Sequence, residues 1–288
     1  VLRQRLPVSI ALIASFIGIL LIDGLTAPYH VIWMGLAVAA GLLAAHEASP
    51  LLVASIGRPL KAPLFAGIAL CLGSNVVASI LARQGFDALG PLGGAWVLCV
   101  GGVLTCGVRL FDDESPVMPR LAATLFGIAY IGVLGSFLTL LRFFDGPERG
   151  LFALALVVGA TKGTDIGAYT FGKLIGRHLM TPKLSPKKTW EGAFGGLAFA
   201  VLIVFGITWL EFAVTGVSTL DAWPLRLAFA LGVSVAGQIG DLAESMLKRE
   251  ARVKDASSVI PGFGGVLDLL DSLFLAAPVG WAILTVLR

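Results

Sequence analysis

Residues 191–210 read EGAFGGLAFAVLIVFGITWL, and they decide the fold. After Glu191 no charge interrupts the run, and apolar residues do not alternate with polar ones. A membrane barrel strand needs that alternation, because one face meets lipid and the other the lumen. A continuous run of about 20 apolar residues instead matches the thickness of a bilayer as an α-helix. A helix also satisfies its backbone donors and acceptors within the segment. Eight more stretches read the same way: 7–22, 31–46, 63–82, 93–108, 121–141, 151–172, 227–247 and 270–287. The expected fold is all-α, a polytopic transmembrane helical bundle of about nine spans. The composition agrees. The 288 residues are 57% hydrophobic and 14% charged, with a mean hydropathy of +0.92, whereas a soluble domain carries roughly 25% charged residues. Disorder, a collagen-like chain, a disulfide scaffold and an ordinary soluble globule are excluded. Cys71, Cys99 and Cys106 lie in or beside apolar stretches without CxxC spacing and read as buried small side chains. The first apolar stretch reads as a span and not as a cleaved leader.

The net charge of +3 is too small to argue for a nucleic-acid partner. Its placement says more. With the N-terminus, Arg3 and Arg5, assigned to the cytoplasm, the connectors around 47–62, 109–120, 173–190 and 248–269 also fall inside. Fifteen Lys and Arg residues then lie inside and five outside, with Lys162 within a span. That is a strong positive-inside signature. Residues 1–150 are apolar spans with short connectors, expected to act as scaffold. Their acidic run Asp112-Asp113-Glu114 reads as a solvated loop. Residues 151–288 hold the most polar connectors and are expected to form the catalytic region, its polar site facing the cytoplasm.

Ionisable groups inside a span cost ~2.5–3.5 kcal/mol on insertion scales, so each needs a reason. Lys162 and Asp165 stand at i, i+3 and can pair, and Tyr169 follows Asp165 at i+4. They form either a structural ion pair or the wall of a polar cavity. Near the end of the eighth span Asp241, Ser245 and Lys248 fall at i, i+4 and i+7, so one stripe presents a carboxylate, a hydroxyl and an ammonium. A hard cation takes the first and a phosphate the other two. Snorkelling explains Lys248 and Arg249 but not Asp241, deeper in the span. Then comes Pro261-Gly262-Phe263-Gly264-Gly265. Its glycines permit close backbone approach and let successive N–H groups face an anion. A helix starting near Val266 would aim its positive end at the same place. Asp268 and Asp271 sit at i, i+3 within its first turns. A basic connector, expected to be irregular, holds Ser185, Lys187, Lys188 and Thr189 and can serve as a polyphosphate clamp or as a contact for anionic headgroups. His178 reads as a surface residue, and His30 and His46 as interfacial.

With these residues assembled, the second half resembles the phosphatidate cytidylyltransferase (CDP-diacylglycerol synthase) family. That signature runs Ser-x-x-Lys-Arg, four residues, Lys-Asp, then Pro-Gly-x-Gly-Gly and two spaced aspartates. Here it reads Ser245-Met246-Leu247-Lys248-Arg249, Lys254-Asp255, and Pro261 to Asp271 with Asp268 between. Asp165-Ile166-Gly167-Ala168-Tyr169, Ser185 to Gly192 and Gly240-Asp241-Leu242 are similar too, so the likeness covers roughly 160–275. Phe263 stands where the family has His, and Leu269 where it has Arg, so those side-chain roles are absent here. The resemblance implies a magnesium-dependent enzyme, with a second cation left open, whose metal ligands match Asp241 and Asp268. It also implies a homodimer; residues 1–150, which resemble the family only as a run of spans, are expected to be scaffold and dimer contact.

The expected reaction joins phosphatidate and CTP into CDP-diacylglycerol and pyrophosphate. Asp241 and Asp268 are assigned to the metal, and Ser245, Lys248 and the Gly262, Gly264 and Gly265 backbone to phosphates. Ser185, Lys187, Lys188, Thr189, Arg249 and Lys254 are further phosphate contacts, with Asp165, Asp255 and Asp271 in second rank. The acyl chains are expected to enter sideways near 227–247 and 270–287. The expected location is the cytoplasmic membrane. Three alternatives stay open. One is a CTP-dependent kinase of a polyprenol or phytol, which releases CDP. Another is an ion-coupled transporter using Lys162, Asp165 and Asp241. The third is a relative that has lost activity, motivated by Phe263 and Leu269.

Overall fold

The computed structural model describes residues 2–83, 91–109, 116–257, 259 and 264–286. Gly262 and Phe263 of the signature, and the acidic run 112–114, lie outside the described residues. Helix α1 (Leu2–Asp23) leads through a short 3-10 turn into α2 (Val31–Ser55), α3 (Lys61–Arg83) and α4 (Pro91–Arg109). Next come α5 (Val117–Gly127), a π-helical stretch (Ile128–Val133) and α6 (Leu134–Leu141), together a single span. The second half holds α7 (Pro147–Ile175), a hairpin of β1 (Leu179–Thr181) and β2 (Ser185–Thr189), then α8 (Trp190–Thr215), α9 (Trp223–Glu250) and α10 (Val266–Val286). Among the described residues, seven helical segments are long and apolar enough to cross a membrane, and α1 and α4 add shorter apolar stretches, Ala14–Thr26 and Ala95–Arg109. Large apolar side chains stay exposed along these helices, among them Phe194, Leu202, Trp209 and Phe212 on α8. Such a face is stable only against lipid or a partner. The protein is an all-helical membrane protein with one small sheet among its described residues.

Two segments differ from the sequence expectation. Helix α2 was expected to end at 46 but continues to Ser55, through Pro50. The proline removes one backbone bond, yet burial of Leu51 and Leu52 just beyond it carries the helix on. The basic connector, expected to be irregular, is a β-hairpin. Leu179 pairs with Thr189 and Thr181 with Ser185, with an irregular register between them. Leu184 N–H donates to Thr181 O at 3.1 Å across a turn whose second residue is Pro182, a position that suits proline's fixed φ. At the base, Trp190 N–H donates to His178 O. The Glu191 carboxylate accepts from Arg177 N–H and His178 N–H and contacts His178 Nδ1. Thr189 Oγ1 accepts from Gly192 N–H at 3.1 Å and caps α8.

The chain forms two compact units. The first comprises Val1–Leu140 and Leu247–Leu269, the second Leu141–Met246 and Leu270–Arg288. In the first, Gly67 on α3 has Ile128 Cδ1 where a Cβ would stand, at 2.6 Å, and Gly132 meets Cys71 in the same way. Buried Asn75 donates to Ser136 O (2.9 Å) and Thr139 Oγ1 (2.6 Å), tying α3 to α6. Cys71 and Cys99 are buried, as expected from their surroundings, whereas Cys106 is half-buried. In the second unit α7 and α8 touch through glycines. A Cβ on Gly167 would lie 2.6 Å from both Gly195 O and Phe199 Cβ, and one on Gly196 would lie 2.9 Å from Thr164 O. Membrane helices associate through such small-residue contacts, since lipid offers no hydrophobic drive between them.

Gly167→Ala should therefore lower stability by about 1–3 kcal/mol, the usual cost of overpacking. Gly206→Ala on α8 has open space around it and should be neutral or gain roughly 0.5–1 kcal/mol from helix propensity. Thermal unfolding of the two variants in detergent checks the contrast; equal stability would contradict the tight α7–α8 contact.

Candidate active site

In the second unit the polar side chains of four elements converge. Helix α9 carries Asp241 and Glu244 one turn apart, and α10 carries Asp271 and Ser272. The two helices come close because residue 240 is glycine: a Cβ there would stand 2.7 Å from Asp271 O and 3.1 Å from Ser272 Cα. That approach brings Asp241, Glu244 and Asp271 together, with one carboxylate oxygen from each within 4.8 Å of the others. Glu244 and Asp271 are buried, and Asp241 is partly open. From β2, Lys188 places its ammonium 2.7 Å from Asp241 Oδ2. From α7, Lys162 donates to Asp165 Oδ2 (3.3 Å) and to Ser272 Oγ (3.2 Å). Asp165 also feels the charges of Asp241 and Lys188. Four carboxylates against two ammoniums leave an excess of negative charge if all are ionised. Oxygen donors at this spacing suit a hard divalent cation, which would also relieve their mutual repulsion.

The first unit holds the rest of the signature. Lys248, at the end of α9, is buried and donates to Asp268 Oδ1 at 2.8 Å. Asp268 Oδ2 accepts from Gly265 N–H (2.7 Å) and Ala256 N–H (3.2 Å). Gly264 has φ of 99°, a left-handed conformation open to glycine, and a Cβ on it would lie 2.5 Å from Asp268 Oδ2. The glycines thus wrap the backbone around the Asp268 carboxylate. A second carboxylate, Glu47 of α2, reaches the same segment. It accepts from Ser257 Oγ at 2.7 Å and from Leu267 N–H at 2.8 Å.

The expected residues sort as follows. Asp241, Asp271, Asp165 and Lys188 come together in the second unit, whereas Lys248, Asp268, Gly264 and Gly265 come together in the first. Ser245 is buried on α9 between Glu244 and Lys248 in sequence. Lys187 is exposed, Ser185 is half-buried, and the Thr189 hydroxyl serves the α8 cap. Arg249 is exposed and donates to Val253 O, and Lys254 and Asp255 are exposed. Gly262 lies outside the described residues. Sequence reasoning missed Glu244, Ser272 and Glu47. Glu244 carried a readable signal, an acid at i+3 from Asp241 on an apolar helix. Glu47 was passed over because its helix was expected to stop one residue earlier.

Comparison with known proteins gives this arrangement a setting. The family model described as the Cytidylyltransferase family matches residues 3–287. A phosphatidate cytidylyltransferase of Mycobacterium bovis is 31% identical over 272 residues, covering 89% of this chain and 81% of its own. One from Mycobacterium leprae is 31% identical over 99% of this chain and 89% of its own. One from Haemophilus influenzae reaches 38% over 170 residues, 58% of this chain and 57% of its own. The family match runs through both units and takes in every carboxylate and lysine described above, and so the chain belongs to the cytidylyltransferase family.

Proposed function

We propose that the protein transfers the cytidylyl group of CTP to phosphatidate, releasing pyrophosphate and leaving CDP-diacylglycerol in the membrane. The observation that carries this reading is the convergence of Asp241, Glu244 and Asp271 beside Lys162 and Lys188. It occurs in a chain whose relatives bear that activity in their names. A phosphate oxygen of phosphatidate attacks the α-phosphorus of CTP. The bond from that phosphorus to the oxygen bridging to the β-phosphorus breaks, and its electron pair leaves with pyrophosphate. A phosphomonoester has a second pKa near ~6, so the nucleophile arrives largely as an oxyanion and needs no strong base. Phe263 in place of the family's histidine is compatible with that. The difficulty is to bring two polyanions together, and it is met by positioning and charge neutralisation.

Asp241, Glu244 and Asp271 are the residues proposed to hold Mg2+, which when bound supplies Lewis acidity and counter-charge to the phosphates. Asp268 accepts from Lys248 and from the Ala256 and Gly265 N–H groups within the first unit. Lys162 and Lys188 balance the carboxylates and are the ammoniums beside which a triphosphate would lie. Lys248, Ser245 and Arg249 are proposed as phosphate contacts of the α9 end, and Ser185, Lys187, Lys254 and Asp255 as peripheral ones. An exposed apolar stripe on α9, Leu231, Val235 and Ile239 at spacings of four, leads along the helix toward Asp241 and suits acyl chains. The lysine and arginine asymmetry supports an N-terminus and a polar site on the cytoplasmic side of the inner membrane. Nine crossings follow if α1 and α4 span as well. The first 150 residues are proposed as scaffold and as the contact of a homodimer.

Purified protein with radiolabelled CTP, phosphatidate and Mg2+ should yield labelled lipid and pyrophosphate. Release of CDP would point to a lipid kinase instead, and an inert but folded sample would sink the proposal. Chelation should abolish turnover reversibly. Asp241→Asn and Asp271→Asn should each lower kcat at least about a hundredfold, the several kcal/mol a catalytic metal supplies, with melting temperatures near that of the parent. Near-normal kcat in either variant would refute its place at the metal.

A further inference from the structure

Glu47 is an ionisable residue inside a spanning helix, and the transfer chemistry above gives it no task. It stands within α2 and is 7% exposed. A buried charge needs a hydrogen-bonded or paired environment, because removing it from water is costly. A helix that needed only packing would do better with an apolar side chain there. Both carboxylate oxygens are instead committed to one distant segment. Oε1 accepts from Ser257 Oγ, and Oε2 accepts from Leu267 N–H at the start of α10. The carboxylate also occupies the space that a side chain at Gly265 would need.

The same segment is gripped by Asp268 through the neighbouring groups, Ala256 N–H and Gly265 N–H. Two carboxylates therefore hold residues 256–257 against residues 265–268. They fill donors at the α10 N-terminus that would otherwise be orphaned or would attract an anion. Asp268 in turn holds Lys248 at 2.8 Å. Without Glu47, Leu267 N–H loses its acceptor and the Ser257 hydroxyl loses the acceptor of its proton, keeping its bond from Val259 N–H, and Asp268 is left to hold residues 256 and 265 together.

We propose that Glu47 is a positioning residue that holds residues 256–257 against residues 265–268, and through them Asp268, so that the Lys248 ammonium is held where phosphate is met. The part played by Lys248 rests on the cytidylyl-transfer reading; the lock itself does not. The side chain works here by geometry more than by charge. In Glu47→Gln the amide oxygen can still accept from Leu267 N–H while the NH2 donates to Ser257 Oγ. In Glu47→Leu both bonds are lost.

The test compares these two variants with the parent, in detergent with CTP, phosphatidate and Mg2+. Two hydrogen bonds at roughly 0.5–1.5 kcal/mol each correspond to about a tenfold loss of kcat or more in Glu47→Leu. KM for phosphatidate should stay within about twofold, and Glu47→Gln should stay within about threefold of the parent in kcat. Amide hydrogen exchange, read on the peptides carrying Ala256 and Leu267, should accelerate in Glu47→Leu and remain slow in Glu47→Gln. Parent-like kcat and exchange in Glu47→Leu would overturn the proposal, as would a Glu47→Gln variant as impaired as Glu47→Leu. A loss of activity that follows only the folded fraction, with kcat per folded molecule unchanged, would reduce Glu47 to a packing residue and overturn it too. If the parent makes no CDP-lipid but the exchange contrast holds, the lock stands and the transfer reading fails.

Discussion

A carboxylate inside an apolar helix must find a cation or a set of N–H donors, because lipid supplies neither. In the second unit Lys188 meets Asp241, and Lys162 holds Asp165 together with Ser272, the neighbour of Asp271. In the first unit the donors are Lys248, the Ser257 hydroxyl and backbone N–H groups around the glycine turn. The two solutions differ in chemical consequence. Backbone N–H groups engage a carboxylate and fix its position. Crowded carboxylates with few cations remain short of positive charge and invite a metal.

This contrast changes how the glycine signature is understood. A run of glycines before a helix suggests a cradle for an anion, and an anion is indeed present. It is the protein's own, Asp268 within the turn and Glu47 from α2. Gly264 adopts the left-handed conformation that curls the chain over Asp268, and Gly265 leaves room for Glu47. The N–H groups of Gly265 and Leu267 are thereby engaged internally. Asp268 in turn holds the Lys248 ammonium at 2.8 Å.

Glycine plays a different part in the helices, where its value is the missing side chain. Gly240 lets α9 close on the backbone of α10 at Asp271, and so it decides that Asp241 and Asp271 are neighbours. Gly167 and Gly196 let α7 and α8 touch, which sets Lys162 and Asp165 on a firmly packed helix. The hairpin depends on the same helix pair: Thr189 caps α8, Glu191 in its first turn pins the strand entry, and Lys188 is thereby aimed at Asp241.

Much of this was written along the chain. Hydropathy over about 20 residues reveals membrane helices because the bilayer tests each segment separately. Helical spacing alone put Asp241, Ser245 and Lys248 on one stripe, and the family signature could be read from order and interval. What the linear order could not reveal was partnership. Glu47 lies 220 positions before the N–H group it accepts from, in a helix that burial of Leu51 and Leu52 prolonged past a proline. Asp271 and Glu244 joined Asp241 only because a glycine allowed two backbones to close, and Asp268 turned out to be occupied by the turn that encloses it. Spacing within a helix is local geometry that sequence encodes directly, whereas contact between helices depends on how closely their backbones approach, and only the folded chain decides that.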